Sequence, residues 1–204
     1  MKKRITIIAV ISTLMLIWGI RYYTINDGFA VHGQYPYKVY SMHETIEFGN
    51  GKTYNMYEQP GYSISLESAR IIDSDAYLKE LNANSGNYSY LSEKYLELTL
   101  TISNNGDYQD GVIFYGLPVV GENWYTFYDE EITASINDFF VNNGVSSATG
   151  CMVSKGGSST VKIAYNLYER HFLPKQWSDI TDEKMWLWVT LMPEDKKIEI
   201  EIDS

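Results

Sequence analysis

Three histidines, one cysteine and several groups of carboxylates are the first side chains to weigh for acid–base, nucleophilic or metal chemistry. His32, His43 and His171 stand outside any HExxH, HxH or Cys/His pattern, so a zinc site lacks its ligand spacing. They read as loop, surface or capping residues rather than as general bases. Cys151 is the only cysteine, which excludes an intrachain disulfide, and it reads as a small apolar core residue. No Gly-x-Ser-x-Gly elbow occurs, and no glycine loop precedes a Lys-Ser/Thr pair. Gly156-Gly157-Ser158 is a turn. The carboxylates Asp129-Glu130-Glu131 and Asp73/Asp75 could suggest glycosidase chemistry, but surface charge and helix capping account for them more simply. Asn105, Asp107 and Asp110 around Gly106 and Gly111 could offer oxygen ligands to calcium, without EF-hand spacing, and a turn is the plainer reading. The expectation is a non-enzyme with no catalytic residue, no cofactor and no metal beyond that calcium candidate.

The aromatics are more suggestive. Trp124, Tyr125, Phe127 and Tyr128 are nearly consecutive, so on a strand some must face outward. Outward rings can stack on sugars or anchor a protein, which makes Trp124, Tyr125 and Tyr128 the candidate ligand-binding residues. The simpler alternative is that tyrosines cover a second sheet face. Trp186 and Trp188 share one face and Leu187 and Val189 the other, the pattern of a central strand with both faces in the core.

The elements that must position these residues read as strands. Tyr62, Ile64 and Leu66 alternate with polar residues, then the apolar phase slips to Ala69 and Ile71, predicting a bulge near Ser68. A short helix capped at 73–75 runs through Leu81. Leu96, Leu98, Leu100 and Ile102 form the clearest strand, closed by the turn residues Asn104-Asn105-Gly106. Further strands are expected at 111–115, 117–120, 124–128, 160–165, 185–191 and 198–202, and a helical turn is possible over 130–141. Met192 to Lys197 is expected to be the final hairpin turn. Short strands are possible at 38–40, 44–48 and 53–57. From Tyr62 this gives seven or eight strands, the rhythm of an all-β antiparallel sandwich.

Placement comes from the first residues. Lys2-Lys3-Arg4 precede an uncharged run, Ile5 to Ile20, that spans about 24 Å as a helix, or about 28 Å if extended to Tyr23. Trp18, Tyr22 and Tyr23 sit where an interfacial belt would lie. A cleaved signal peptide competes, with Gly28-Phe29-Ala30 as the nearest small-x-small site, and no lipoprotein cysteine follows the run. We expect an uncleaved single-pass anchor over 1–23 with the N-terminus cytoplasmic, a spacer over 24–37, and an extracellular domain over 38–204. Beyond residue 28 the chain keeps 12 of its 16 bases and 25 of its 26 acids, so nucleic acid is a poor partner.

Gly61-Tyr62-Ser63-Ile64 with Ile71-Ile72-Asp73, then Tyr95 to Leu100 closing on Asn104-Asn105-Gly106, then a Gly-Gly turn before Val161 to Tyr165, resembles the exported, membrane-anchored immunoglobulin-like domains of Firmicutes, mostly of unknown function. The resemblance covers roughly residues 38 to 203. It implies an immunoglobulin-like sandwich displayed on a Gram-positive cell surface and carries no catalytic residues. The expected partners are the membrane, through residues 5–23, and a cell-surface protein or glycan. The expected function is binding or assembly at the envelope, the alternative a carbohydrate-binding module using exposed aromatics.

Overall fold

The computed structural model describes residues 12–19, 21 and 36–203. The chain divides into two compact units, Met1–Pro36 and Tyr37–Ser204. In the first, residues 12–19 are helical and every side chain is exposed, with Leu14, Met15, Leu16, Ile17 and Trp18 each more than half bare. Among the described residues no helix is long and apolar enough to cross a membrane. Most of the expected anchor, nearly all of the expected spacer, and His32 lie outside the described residues.

The second unit is mostly β with a few short helices. Its strands are β1 (Tyr37–Tyr40), β2 (Ile46–Glu47), β3 (Tyr62–Asp73), β4 (Lys94–Asn104), β5 (Val112–Ile113), β6 (Val119–Gly121), β7 (Tyr125–Thr126), β8 (Gly150–Cys151), β9 (Gly157–Leu167), β10 (Met185–Thr190) and β11 (Asp195–Glu199). Four helices intervene: α1 (Ser74–Glu80), α2 (Glu130–Ser135), α3 (Asp138–Asn142) and α4 (Pro174–Ser178). A four-stranded sheet runs β2-β3-β4-β9 and a five-stranded sheet runs β1-β11-β10-β6-β7, with β5 and β8 as a separate pair.

The long β3–β4–β9 ladder follows directly from alternation. Leu96, Leu98, Leu100 and Ile102 of β4 are all fully buried, as are Ile64 and Leu66 of β3 and Ile163 of β9. They join Val119, Met185, Leu187, Val189 and Ile198 of the other sheet in one core. Each such side chain contributes roughly 1.5–3 kcal/mol through removal from water. The register shifts between Leu66 and Ser68, where the apolar phase slips in sequence. At the end of the ladder Gly61 is required twice over: its φ is +84°, and a Cβ there would lie 2.4 Å from the Gly106 Cα. The opposite face of this sheet carries a second, smaller core of Tyr77, Tyr95, Ile132 and Ala164 beneath α1 and α2.

Several expectations are corrected. The sheets are not wholly antiparallel, because β1 pairs parallel with β11. Nine strands, not seven or eight, follow from Tyr62 onward. Residues 53–57 form a turn in which Thr53 N–H donates to the Tyr57 carbonyl and Met56 has φ +65°. The possible helical turn over 130–141 is two short helices. The break is at Asn137, whose side chain bonds the Lys162 backbone at both ends, its Nδ2 donating to O and its Oδ1 accepting from N. The last strand begins at Asp195, within the expected turn, because Asp195 to Lys197 pair with β1 and Lys196 and Lys197 pair with β10 as well. Trp186 and Trp188 are half-buried: β10 is indeed central, but only its Met185, Leu187 and Val189 face enters the core.

Candidate functional site: an aromatic ridge between two clefts

The ridge is built on the outer edge of β9. An edge strand leaves a row of unpaired backbone groups, and here residues 126–137 satisfy them. The Asn166 N–H donates to the Phe127 carbonyl, the Asp129 N–H to the Ala164 carbonyl at 2.7 Å, and the Ala164 N–H to the Thr133 hydroxyl. The Thr126 hydroxyl donates to the Asn166 carbonyl at 2.6 Å. This seal fixes Phe127, Tyr128 and Asp129 in a row. Asp129 then caps α2, accepting from Glu131 N–H and Ile132 N–H at 3.1 and 3.0 Å.

On that row the rings gather. Tyr115 and Phe127 stack with centroids 4.7 Å apart and planes 8° from parallel. Tyr54 and Tyr125 meet Phe127 edge-on at 5.2 and 5.7 Å. Tyr115 and Tyr125 are 49% and 62% exposed, enough for a ligand to reach both rings. Four aromatics thus come from three separate stretches of chain, which places the ridge beyond local sequence reading.

A cleft of about 560 Å³ lies on one side, lined among others by Tyr90, Tyr115, Phe127, Tyr128, Asp129 and Asn166. Its loop wall is held by Glu131, whose carboxylate accepts from both the N–H and the hydroxyl of Ser89 at 2.7 Å and is thereby lowered in pKa. Burial pushes the Asp129 carboxyl up, against the backbone N–H groups that hold it down. Burial, then the nearby Glu130 and Asp129 charges, pushes Tyr128 up to about 12. A second cleft of about 400 Å³ lies on the other side, lined by Tyr54, Glu122, Asn123, Tyr125, Trp188 and Lys197 among others. The Lys197 ammonium lies 4.7 Å from the Trp188 ring centroid, and Trp188 Nε1–H donates to Asp195.

The sequence-expected residues divide around this ridge. Tyr125 stands exposed on it and Tyr128 lines the larger cleft half-buried. Trp124 is only 8% exposed: its indole packs edge-on against Phe172 at 4.9 Å and lies over Gly121, where any Cβ would collide with it. Its ring is therefore not open to a ligand, whereas the Tyr125 ring is. Asp107 is engaged by Lys155 Nζ at 2.6 Å, Asn105 and Asp110 are exposed nearby, and among the described residues no three His, Cys, Asp or Glu side chains gather to hold a metal. His43 is exposed, 3.4 Å from Glu67, and His171 is exposed beside Tyr168. Cys151 is half-buried against the main core, and burial raises its thiol pKa.

Sequence reasoning missed Tyr54, Tyr90, Tyr115, Asn166 and Trp188. It also missed a buried carboxylate away from both clefts. Glu97, on the outer face of β4, is 5% exposed and accepts from Arg70 Nε and a second Arg70 nitrogen, each at 3.1 Å. The Tyr77 hydroxyl donates to it, and Lys162 Nζ lies 3.5 Å away. Burial pushes this carboxyl up, but Arg70 and Tyr77 overcome it and hold the carboxyl below its ordinary value.

No curated protein and no solved structure matches the chain. A family model does, over residues 37–196, from the first residue of β1 into β11. The chain belongs to the family described as Domain of unknown function (DUF5028).

Proposed function

We propose that this chain is a non-enzymatic, membrane-tethered protein of a Firmicutes cell envelope, whose immunoglobulin-like β-sandwich binds another envelope component. The observation that carries the binding role is the ridge of Tyr54, Tyr115, Tyr125 and Phe127, four mutually packed rings that remain accessible between two clefts. Apolar surface of this kind is retained where a partner covers it. The bare apolar side chains of residues 14–18 and the basic cluster before them support the tether, N-terminus inside. Two sheets closed on one core support the sandwich.

The test uses cells producing the full chain. Protease shaving of intact cells should release the domain while a membrane-bound stub remains, the released domain should co-sediment with purified envelope, and a Tyr115→Ser/Tyr125→Ser double variant of it should lose that co-sedimentation. Recovery of the whole domain free in the medium would sink the tether, and unchanged co-sedimentation would sink the ridge.

The smaller cleft favours a second reading, a carbohydrate-binding module. It sets Tyr125 and Trp188 beside Asn123, Glu122 and Lys197, giving ring faces for stacking together with both donors and acceptors for hydroxyl groups. A glycan array should then show signal that Tyr125→Ala abolishes. A blank array rejects this reading alone.

A further inference from the structure

Three Asn-Gly pairs stand in the sequence, Asn50-Gly51, Asn105-Gly106 and Asn143-Gly144. Such a pair can react with itself, the glycine nitrogen attacking the asparagine side-chain carbonyl with no Cβ to hinder its approach. A folded turn holds the two groups apart. The reaction therefore waits on local opening, and the cost of that opening decides which pair reacts.

The first two pairs are locked by tertiary structure. Gly51 is buried, and a Cβ there would meet the Thr190 side chain at 2.5 Å. Its N–H donates to the Phe48 carbonyl at 2.8 Å, and the following residue, Lys52, exchanges backbone bonds with Met192 and Leu191. Gly106 is pressed against Gly61, its N–H donates to Asn104 Oδ1 at 2.9 Å, and the Asn105 N–H donates to the Gly61 carbonyl at 2.8 Å. Asn104 itself is paired with Tyr62 on one side and Gly157 on the other. Opening either turn means parting strands.

Asn143-Gly144 has no such tie. Residues 141–146 are all exposed, and a Cβ at Gly144 would meet nothing within 4 Å. The Gly144 N–H donates to the Val141 carbonyl at 3.1 Å, the Asn143 N–H to that of Phe140 at 3.2 Å, and Asn143 Nδ2 to that of Phe139 at 2.7 Å. All three acceptors belong to α3, a helix of only five residues. Unfastening its last turn frees the attacking nitrogen and the amide that it attacks together.

We propose that Asn143 is a site of spontaneous deamidation. A bond forms between the Gly144 nitrogen and Asn143 Cγ, the Cγ–Nδ2 bond breaks, and ammonia leaves with the Gly144 proton. Water, the only co-reactant, then opens the five-membered imide at either carbonyl, leaving aspartate or isoaspartate at position 143. The product loses the donor to the Phe139 carbonyl and sets a negative charge against the carbonyl end of α3. The change is one-way. It loosens an exposed segment and makes residues 141–146 the first place for a protease to cut. Neither the tether nor a ligand in either cleft is needed for it.

The test ages the full chain in detergent, in warm and mildly alkaline buffer, and follows all three pairs by peptide mapping with isoaspartate detection. Conversion at Asn143 should be about tenfold or more faster than at Asn50 or Asn105, and unfolding the chain in urea should bring the three rates together. Isoaspartate should appear beside aspartate at position 143, because the imide opens both ways. Aged protein should be nicked within residues 141–146 sooner than fresh protein, and aged Asn143→Gln no sooner than fresh. Equal rates at the three pairs in the folded chain, a faster reaction at Asn50 or Asn105, no conversion at Asn143, or aspartate without isoaspartate overturns the proposal. Nicking that ageing does not change overturns its consequence for α3.

Discussion

Two carboxylates beside the same sheet have opposite fates. Glu97, on β4, is surrounded by Arg70, Lys162 and the Tyr77 hydroxyl, and its pKa is lowered. Asp129, against the outer edge of β9, has backbone N–H groups and the Asn166 side chain for partners and no ion-pair cation among the described residues, and burial raises its pKa. Burial acts on both in the same direction, so the difference lies in the partners. Glu97 is a closed structural knot: Arg70 continues to Glu80 at 2.9 Å and ties α1 onto β3 and β4. Asp129 keeps an unmet charge at the edge of a cleft. A perturbed carboxyl can therefore mark either a finished network or an open site, and only the inventory of its partners tells them apart.

Breaking the closed partner should cost most. Glu97→Gln leaves Arg70 and Lys162 facing a neutral group and should destabilise by about 3 kcal/mol, read as a lower denaturant midpoint at constant m. A loss under about 1 kcal/mol would mean that the network is no more than surface charge. Arg70→Met should cost less, about 2 kcal/mol, because Arg70 is 39% exposed and Lys162 and Tyr77 remain.

The pH dependence separates the two groups by sign. Glu97 titrates below its ordinary 4.5 in the fold, so its contribution is present above that value and is lost as pH falls through the folded pKa. Asp129 titrates above its ordinary 3.8, so acid relieves rather than removes a stabilising state. The Glu97→Gln variant should therefore show a flatter acid limb in its midpoint-versus-pH curve. The Asp129→Asn variant should show a steeper one, and parallel curves for all three proteins would erase the distinction.

Smaller effects should follow at the cleft. Asp129→Ala removes the α2 cap and should cost about 1 kcal/mol. Asp129→Asn keeps the cap and loses the uncompensated charge, so at pH 7 its stability should lie within about 0.5 kcal/mol of the parent, on the stabilising side. If it destabilised as much as alanine, the carboxylate would have a partner that its geometry does not show.

The ladders were legible because alternation is local: the β3 phase slip, the apolar face of β4 and the outward Glu97 register all follow from period two. Helix–strand competition was less so. Nothing in the spacing of Ile132, Ile136 and Phe140 reveals that Asn137 will spend its amide on the Lys162 backbone and split the helix. The two tryptophans of β10 read as core because both its faces are apolar, whereas the sheet has a core on one side only. The ridge was half visible. Tyr125 and Tyr128 stand in the aromatic run, but Tyr54 and Tyr115 reach it through tertiary contact.

The parallel pairing of β1 has a mechanical meaning. β1 meets β11 over four residue pairs, Tyr37 with Asp195 through Tyr40 with Ile198, and only Tyr40 is even half-buried. A pull applied at the amino end is borne first by this short ladder, in which parallel strands resist sliding along their length. When Tyr37 to Val39 peel away they leave no hole in the core, and about three residues of slack, roughly 10 Å, are released. Under a load at the chain's beginning, the first strand would act as a shock absorber for the rest of the domain.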